Sequence, residues 1–463
     1  DRDLAIKNVL HSAFSHSGQK CSATSLLILE DEVYHDRRFR DTLCDAVESL
    51  RVGSVWDLAT KMGPLIHPPA GPMERALKEL EPGESWAVMP RLHIDGNPCL
   101  VSPGVKWGVS PGSFTHSTEL FGPVLGVMRA ADLGEAIDLV HATGYGLTSG
   151  LESLDDREQC QWQKSLQAGN LYINRSTTGA VVERQPFGGM RKSAFGPGVK
   201  AGGPNYVAPL MRFTDATDDP QAPGAHASGA HPTGAPPGSP GDAHRHGAGE
   251  HLAALRAALA RPAERPPLTA EDRCRLVGAI DSYAHWASQE FGAEHDPQQL
   301  LGEDNIRRYQ AVDPLWIRIT DEDAAFDVFA RACAARAAGS RIVVSSPPEL
   351  AAAPRDAVAL LDALTDSWAA AIEFVVESDA ELAAALSAGR VGRIRYAGPH
   401  RAAEAIRRAA ADAFVHLADA PPLAHGRIEL LWYIQEQSVA RVYHRYGNLG
   451  RRAAEPRTTP ISP

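Results

Sequence analysis

The sequence predicts an α/β protein with two structured parts joined by a linker. Short apolar runs alternate with helical periodicity up to about residue 213, and the same alternation returns over about residues 249–450. A stretch rich in Pro, Gly, Ala, Ser and His separates the two parts. The length of 463 residues leaves room for about three domains of roughly 150 residues each.

The first part, residues 1–213, contains clear strand and helix patterns. Phe39, Leu43, Val47 and Leu50 recur on one face at helical spacing, which predicts an amphipathic helix. Apolar runs before and after it predict buried strands. The predicted elements are a strand over Ser25–Glu30, helices over Asp36–Leu50, Met73–Leu80 and Leu133–Thr143, and a strand over Gly169–Asn174.

Residues 214–248 and 451–463 lack the apolar content of a folded part. The middle stretch cannot bury enough apolar surface to offset its chain entropy, so we predict a disordered linker there. Its histidines could bind a metal, but a solvated low-complexity linker is the simpler interpretation, and no metal site is predicted. Residues 451–463 are predicted to form a disordered tail.

The second part, residues 249–450, again alternates helices and strands, which favours a mostly parallel sheet covered by helices. No GxGxxG motif opens a nucleotide-binding helix in it. The predicted helices cover His251–Ala260, Ala270–Glu290 and Glu322–Ala338, and the predicted strands cover Arg341–Ser345, Ile372–Val376, Arg393–Tyr396 and Arg427–Tyr433.

Composition excludes several classes of function. A net charge of −11 argues against a surface that binds nucleic acid or anionic membranes. No apolar run of about 18 residues predicts a membrane span, and the first residues do not resemble a secretory signal. The six cysteines are scattered and form no CxxC pair, which predicts reduced thiols, a cytoplasmic location and no cysteine-based zinc site.

The segment FSHSGQKCSATS, residues 14–25, places Cys21 between Lys20 and Ser22. A thiol is nucleophilic as the thiolate, and a neighbouring cation or backbone amides favour that form. Lys20 and the surrounding polar residues offer such a setting. Most cysteines are nevertheless inert packing residues, so this segment alone leaves both interpretations open.

Two later segments carry further candidate site residues. In STELFGPVL, residues 117–125, Glu119 can accept hydrogen bonds from ribose hydroxyls and Phe121 can cover one face of a planar ring. In residues 169–189, the backbone amides around Gly179 and Ala180 can approach an anion closely because neither side chain obstructs it. Each segment alone also fits a solvated glutamate or an ordinary glycine-containing loop.

Taken in order, these segments resemble a known enzyme family. GQKCSA, ELFGPV, YGLTSG, GNLYIN and QPFGG together resemble the aldehyde dehydrogenase superfamily. The variants KCS, STTGA and AGGPNY are similar to its L-glutamate γ-semialdehyde (Δ1-pyrroline-5-carboxylate) dehydrogenase branch. GRIELLWYIQEQS and YHRYGNLG resemble the extra C-terminal domain of the bifunctional proline utilization A flavoproteins and their close relatives.

The resemblance implies a domain organisation. Residues 1–213 are expected to be the C-terminal part of an aldehyde dehydrogenase domain. Within it, a catalytic subdomain covers about residues 10–155, and the chain returns to the cofactor and oligomerisation region over about residues 156–213. Residues 249–450 are then expected to be a C-terminal Rossmann-like α/β domain.

The resemblance also implies roles at the reacting centre. Cys21 matches the nucleophile, which attacks the aldehyde carbon, and its backbone N–H matches one donor of the oxyanion hole. NAD is the implied hydride acceptor. Glu119 matches the residue that holds the nicotinamide ribose, and Phe121 matches the residue that packs against the cofactor.

The remaining implied roles concern the substrate, a small amino-acid aldehyde. Ser22 matches a hydroxyl donor to its carboxylate, and Gly179 and Ala180 match a loop that gives backbone amides to the same group. Phe187 matches an aromatic wall over the aliphatic middle. Lys20 matches the lysine beside the nucleophile, whose charge favours both carboxylate and thiolate.

One departure from the family is large. Most of the cofactor domain, the general-base glutamate and the oxyanion-hole asparagine precede the nucleophile in the family, whereas 20 residues precede Cys21 here. We therefore expect the chain to act as a homo-oligomer or to depend on an N-terminal portion, and we expect the isolated chain to be inactive. FAD would be a cofactor only if a proline dehydrogenase domain lies upstream.

Two alternatives stay open. The chain could be a catalytically incomplete remnant with a structural or oligomerisation role. A cysteine hydrolase is the weaker alternative, because neither His11 nor His16 has an evident orienting partner.

Overall fold

A computed structural model describes residues 1–194, 196–215, 247–261 and 267–455. Residues 216–246 of the predicted linker and 456–463 of the predicted tail lie outside the described residues, so their disorder stays a prediction. The chain forms two compact units. The first unit contains Asp1–Ser193, Asp296–Ile306 and the segment from Ser438 onward, and the second contains Ala194–His295 and Arg307–Gln437. The predicted domain boundaries stay predictions.

The described residues contain the following regular elements. The helices are α1 (Arg2–Phe14), α2 (Asp31–Tyr34), α3 (Arg37–Glu48), α4 (Gly71–Lys78), α5 (Phe114–Ser117), α6 (Leu133–Ala142), α7 (Asp156–Ser165), α8 (Ala248–Ala260), α9 (Ala270–Trp286), α10 (Ala325–Ala338), α11 (Ala352–Leu364), α12 (Asp379–Ser387), α13 (Glu404–Asp412) and α14 (Gly426–Glu429). The strands are β1 (Leu26–Glu30), β2 (Ser85–Val88), β3 (Gly104–Trp107), β4 (Val124–Ala130), β5 (Tyr145–Gly146), β6 (Thr148–Leu151), β7 (Asn170–Ile173), β8 (Met190–Arg191), β9 (Glu303–Ala311), β10 (Leu315–Arg318), β11 (Ile342–Ser346), β12 (Ile372–Val376), β13 (Arg393–Arg395), β14 (Leu417–Ala418) and β15 (Ile434–Val442).

A four-stranded sheet in the order β1-β4-β3-β2 lies in the first unit. Strands β1, β4 and β3 run parallel, and β2 is antiparallel to β3. Helix α3 buries Phe39, Leu43 and Val47, as their spacing predicted. Asp36 caps this helix by accepting hydrogen bonds from backbone N–H groups of its first turn.

A second sheet has the order β6-β7-β15-β9, and the boundary between the two units falls within β9 and β15. Strand β7 is parallel to both neighbours, with Asn170 opposite Thr148 on one side and Ser438 on the other. Leu171 and Ile173 are fully buried, which confirms the predicted strand. Strand β7 thus delivers the chain directly into the candidate loop that follows it.

The second unit contains a five-stranded parallel sheet in the order β12-β11-β10-β13-β14. Helices alternate with these strands, as the sequence predicted, and the mixed α/β fold class is confirmed. The strand order reverses direction at β10, as in doubly wound sheets. The core between this sheet and its helices includes Ile317, Phe329 and Leu361.

One predicted strand is wrong. The apolar run Arg427–Tyr433 forms α14 followed by a 3₁₀ turn over Leu430–Trp432, and the strand begins later, at Ile434. A short apolar run cannot by itself distinguish a buried helix from a strand. The buried carboxylate of Glu429 also fixes the helical turn, because it accepts hydrogen bonds from the Arg395 guanidinium (2.9 Å) and the Leu423 N–H (2.9 Å).

Candidate active site

Cys21 lies in a turn between α1 and β1, and its side chain is exposed. The preceding residues hold this turn against the chain that follows α3. The Ser17 hydroxyl donates to the Gly63 carbonyl (2.8 Å), and the Gln19 side-chain oxygen accepts from the Ile66 N–H (3.0 Å). The turn is therefore fixed by Ser17 and Gln19, side chains of the same FSHSGQKCSATS segment.

The turn that carries Cys21 meets the Phe-Gly-Pro turn predicted to hold the cofactor. Gly18 has φ of +67°, and a Cβ atom there would lie 2.4 Å from the carbonyl oxygen of Gly122. Glycine is required on both counts: the left-handed backbone and the close approach. Phe121 also has a positive φ, of 52°, which is unusual for a bulky residue. Two segments about 100 residues apart are thus packed backbone against backbone.

A cavity of about 520 Å³ opens at this contact. Its wall includes Lys20, Cys21, Glu119 and Phe121, so the structure brings together four of the eight predicted site residues. Glu119 is exposed, and the Phe121 ring is 44% exposed. A thiol, a cation, a carboxylate and an aromatic face therefore border one space.

The other four predicted residues, Ser22, Gly179, Ala180 and Phe187, do not line this cavity. Ser22 is buried, and the Gly179 backbone is exposed with φ of +82° and open space where a Cβ would stand. An unobstructed backbone at this position is compatible with the predicted anion-binding loop.

Residue Gln185 closes the loop that contains Gly179. Its side-chain oxygen accepts from the Val181 N–H (2.8 Å), and its side-chain nitrogen donates to Glu303 (3.1 Å) and Asn305 (2.5 Å). Gln185 is buried. The loop is thus braced by residues more than 100 positions later, which the sequence did not reveal.

The Asn170 side chain shapes the backbone around Phe187. Its amide nitrogen donates to the Pro186 carbonyl (3.0 Å), and its amide oxygen accepts from the Gly188 N–H (3.1 Å). Phe187 itself is half-buried. Asn170 is buried, and its side chain forms these hydrogen bonds with the next motif, QPFGG. A polar residue within the apolar strand GNLYIN was the feature of the sequence that could have indicated this role.

Sequence reasoning missed Glu152, which follows the YGLTSG segment. It lines the cavity, accepts a hydrogen bond from the Asn8 amide (2.8 Å), and burial raises its pKa to about 7. A carboxylate that directly follows a strand was the available signal. Asn8, which matches no family motif, is the hydrogen-bond partner of this half-buried carboxyl.

Arg175 and Tyr172 were also missed. Arg175 lines the cavity and forms an ion pair with Glu303 (2.7 Å). Burial raises the pKa of Tyr172 to about 12, and the Arg175 guanidinium carbon lies 5.5 Å from the centre of the Tyr172 ring. Both residues belong to the strand segment that delivers the candidate loop.

Two further observations apply to the described part of the chain. No group of three or more His, Cys, Asp or Glu side chains is arranged to hold a metal ion there. No helix in that part is both long and apolar enough to cross a membrane.

The chain is similar to known proteins in sequence and fold. Residues 1–214 match the model of the aldehyde dehydrogenase family. The 1-pyrroline-5-carboxylate dehydrogenase of Geobacillus sp. (strain WCH70) is 34% identical over 207 residues, covering 45% of this chain and 39% of that protein. Its namesake in Bacillus subtilis (strain 168) is 34% identical over 209 residues, covering 45% and 39%.

A solved structure matches over a longer part of the chain. Proline Utilization A from Corynebacterium freiburgense is 35% identical with a TM-score of 0.69, covering 96% of this chain and 38% of that one. The chain thus spans about two fifths of the length of the curated relatives and of this structure.

Proposed function

We propose that the chain, whose residues 1–214 match the aldehyde dehydrogenase family model, supplies the nucleophile and substrate-binding loop of an NAD-dependent enzyme. The proposed reaction is the oxidation of L-glutamate γ-semialdehyde to L-glutamate. The curated relatives at 34% identity are named for this class of substrate. Since the chain spans 39% of their length, we propose that turnover requires the remaining portion and that the isolated chain is inactive.

One observation carries the proposal: Cys21, Lys20, Glu119 and Phe121 border a single cavity although about 100 residues separate the two pairs. The packing of Gly18 on Gly122 holds the two segments together. The Cys21 side chain is exposed beside this cavity, whereas a cysteine that only fills space in a core would be buried.

The residues of this chain account for the covalent steps. The Cys21 thiolate attacks the aldehyde carbon and forms a thiohemiacetal, whose oxyanion the Cys21 backbone N–H stabilises. Oxidation converts the thiohemiacetal into a thioester, and water then releases the carboxylate product and restores the thiol.

NAD, when bound, supplies the acceptor for the hydride that leaves the substrate carbon. Two side chains at the cavity are suited to bind NAD. The exposed Glu119 carboxylate can accept hydrogen bonds from ribose hydroxyls, and the partly exposed Phe121 ring can pack on a planar group. We propose that the rest of the cofactor site lies in the portion of the relatives that this chain does not span.

The carboxylate of the substrate would bind away from the thiol. We propose that the backbone amides of Gly179 and Ala180 receive it, since a Cβ on Gly179 would meet no atom within 4 Å. Ser22 would add a hydroxyl, and the half-buried Phe187 ring would cover the aliphatic middle of the substrate. These residues select an amino-acid aldehyde over a simple alkyl aldehyde, because only the former has the anion that the amides receive.

The test uses the chain joined to the N-terminal portion of the Bacillus subtilis relative. NADH formation is measured with L-glutamate γ-semialdehyde and with propanal, which lacks the carboxylate. We expect NAD-dependent oxidation with a strong preference for the semialdehyde, and none from the chain alone. Equal rates with the two aldehydes would exclude the proposed substrate. A joined protein that folds and binds NAD without oxidising either aldehyde would favour a structural role.

A further inference from the structure

Thr177 lies between the nucleophile turn and the loop that carries Gly179, and it is almost completely buried. Its hydroxyl donates to the carbonyl oxygen of Ser22 (2.8 Å), the residue next to Cys21. The Thr24 hydroxyl lies 3.0 Å from the same oxygen atom of Thr177. A hydroxyl has one proton, and Thr177 gives its proton to Ser22, so Thr24 is the donor to Thr177.

The backbone of Thr177 is fixed as well. Its N–H donates to the Ser12 hydroxyl oxygen (3.0 Å), and that hydroxyl donates to the Asn8 carbonyl within α1 (2.6 Å). The Ser12 carbonyl accepts from the Thr24 N–H (3.0 Å). One compact network therefore joins α1, the nucleophile turn and the candidate loop.

The side chain of Thr177 also fits a specific space. A Cβ atom on Gly150 would stand 3.0 Å from the Thr177 methyl carbon, so the methyl group packs closely over the Gly150 backbone. Hydroxyl and methyl each have a defined neighbour, which allows Thr177 one orientation. Gly179 and Ala180 follow two and three positions later, so their positions depend on how Thr177 is held.

We propose that Thr177 is a positioning residue that sets the separation between the Cys21 thiol and the backbone amides of Gly179 and Ala180, and so selects carboxylate substrates of matching length. The inference rests on the proposed function, because it assumes that these amides receive the substrate carboxylate. Thr177 itself touches neither the carboxylate nor the reacting carbon.

The chain itself allows the test without turnover. Cys21 is labelled with carboxyethyl methanethiosulfonate and with its neutral hydroxyethyl analogue, and peptide mass spectrometry follows the rate at each cysteine. Cys160, which is also exposed, is the internal control. We expect the ratio of the carboxyethyl rate to the hydroxyethyl rate to be higher at Cys21 than at Cys160.

Substitutions then separate positioning from charge. Thr177→Val keeps the shape but removes the hydroxyl, and should lower the ratio at Cys21 about fivefold, the effect of one neutral hydrogen bond. Thr177→Ser keeps the hydroxyl and should retain the ratio. Lys20 is unchanged in both variants, so a lower ratio reports geometry. An unchanged ratio in Thr177→Val would overturn the inference while leaving the proposed function intact.

Two further outcomes are informative. If Thr177→Val does not fold, Ser12→Ala replaces it, because it removes the hydroxyl that accepts the Thr177 N–H; an unchanged ratio in that variant also overturns the inference. Equal ratios at Cys21 and Cys160 in the unmodified chain would contradict the carboxylate site of the proposed function and the inference together.

Discussion

Charged side chains in the second unit form buried pairs, whereas Cys21 and Glu119 in the first unit border a cavity. In the second unit, Arg331 and Asp323 are completely buried and 2.5 Å apart. Arg395 and Glu429 are equally buried and 2.9 Å apart. In the first unit, Cys21 and Glu119 are exposed.

The difference shows which polar groups can take part in chemistry. A buried charge that is already paired has its hydrogen bonds committed to the fold. A reactive group needs access to a ligand, and the strained backbone at Phe121 keeps an aromatic ring beside the cavity. Buried charge alone does not locate a site, because the first unit also contains the buried pair Lys106–Glu84, which does not line the cavity.

The largest expected effect on stability is at Asp323. Its carboxylate accepts hydrogen bonds from Arg331 and Arg401. Asp323→Ala would leave the Arg331 guanidinium buried without its partner, so we expect a loss of about 3–5 kcal/mol in the free energy of unfolding. Urea denaturation measures it. The matched control is Asp281→Ala, which breaks the exposed pair with Arg256 and should change little. Similar losses in both variants would mean that burial does not distinguish these charges.

A smaller effect is expected at Glu152, which is half-buried and lines the cavity, and so lies between the two kinds of polar group. Its pKa is about 7 in the folded chain against an ordinary 4.5, so the folded state holds this proton more tightly than the unfolded state does. Its stabilising contribution is complete below about pH 4.5 and declines up to about pH 7, by at most about 3 kcal/mol.

Denaturation across that range tests the Glu152 prediction. Glu152→Gln should flatten the pH dependence, and Glu48→Gln, at an exposed site on α3, should leave it unchanged. If both variants follow the unmodified chain, the titrating group is elsewhere.

Local patterns predicted most of the fold. The helical spacing of Phe39, Leu43 and Val47 located α3, and the alternation of helices with strands predicted the parallel sheet of the second unit. The run Arg427–Tyr433 failed because its conformation depends on a buried carboxylate, Glu429, that bonds to residues distant in sequence. Tertiary contacts, which no local window contains, decided that case.

The sequence predicted some residues of the cavity wall but not the residues that hold the neighbouring segments in place. Cys21, Glu119 and Phe121 carry recognisable chemistry in short motifs, and the structure places them together. Gln185 and Thr177 act through hydrogen bonds to partners more than 100 residues away, and nothing in their own segments indicates those partners. Candidate reactive residues are therefore easier to find in a sequence than the residues that hold their segments in place.

The most direct test of the account is removal of the Cys21 thiol in the chain joined to the N-terminal portion of the Bacillus subtilis relative. Cys21→Ala should abolish NADH formation from L-glutamate γ-semialdehyde while leaving NAD affinity largely intact. Cys160→Ala, at the other exposed cysteine of the first unit, should retain both. Continued NADH formation in Cys21→Ala would contradict the assignment of Cys21 as the nucleophile.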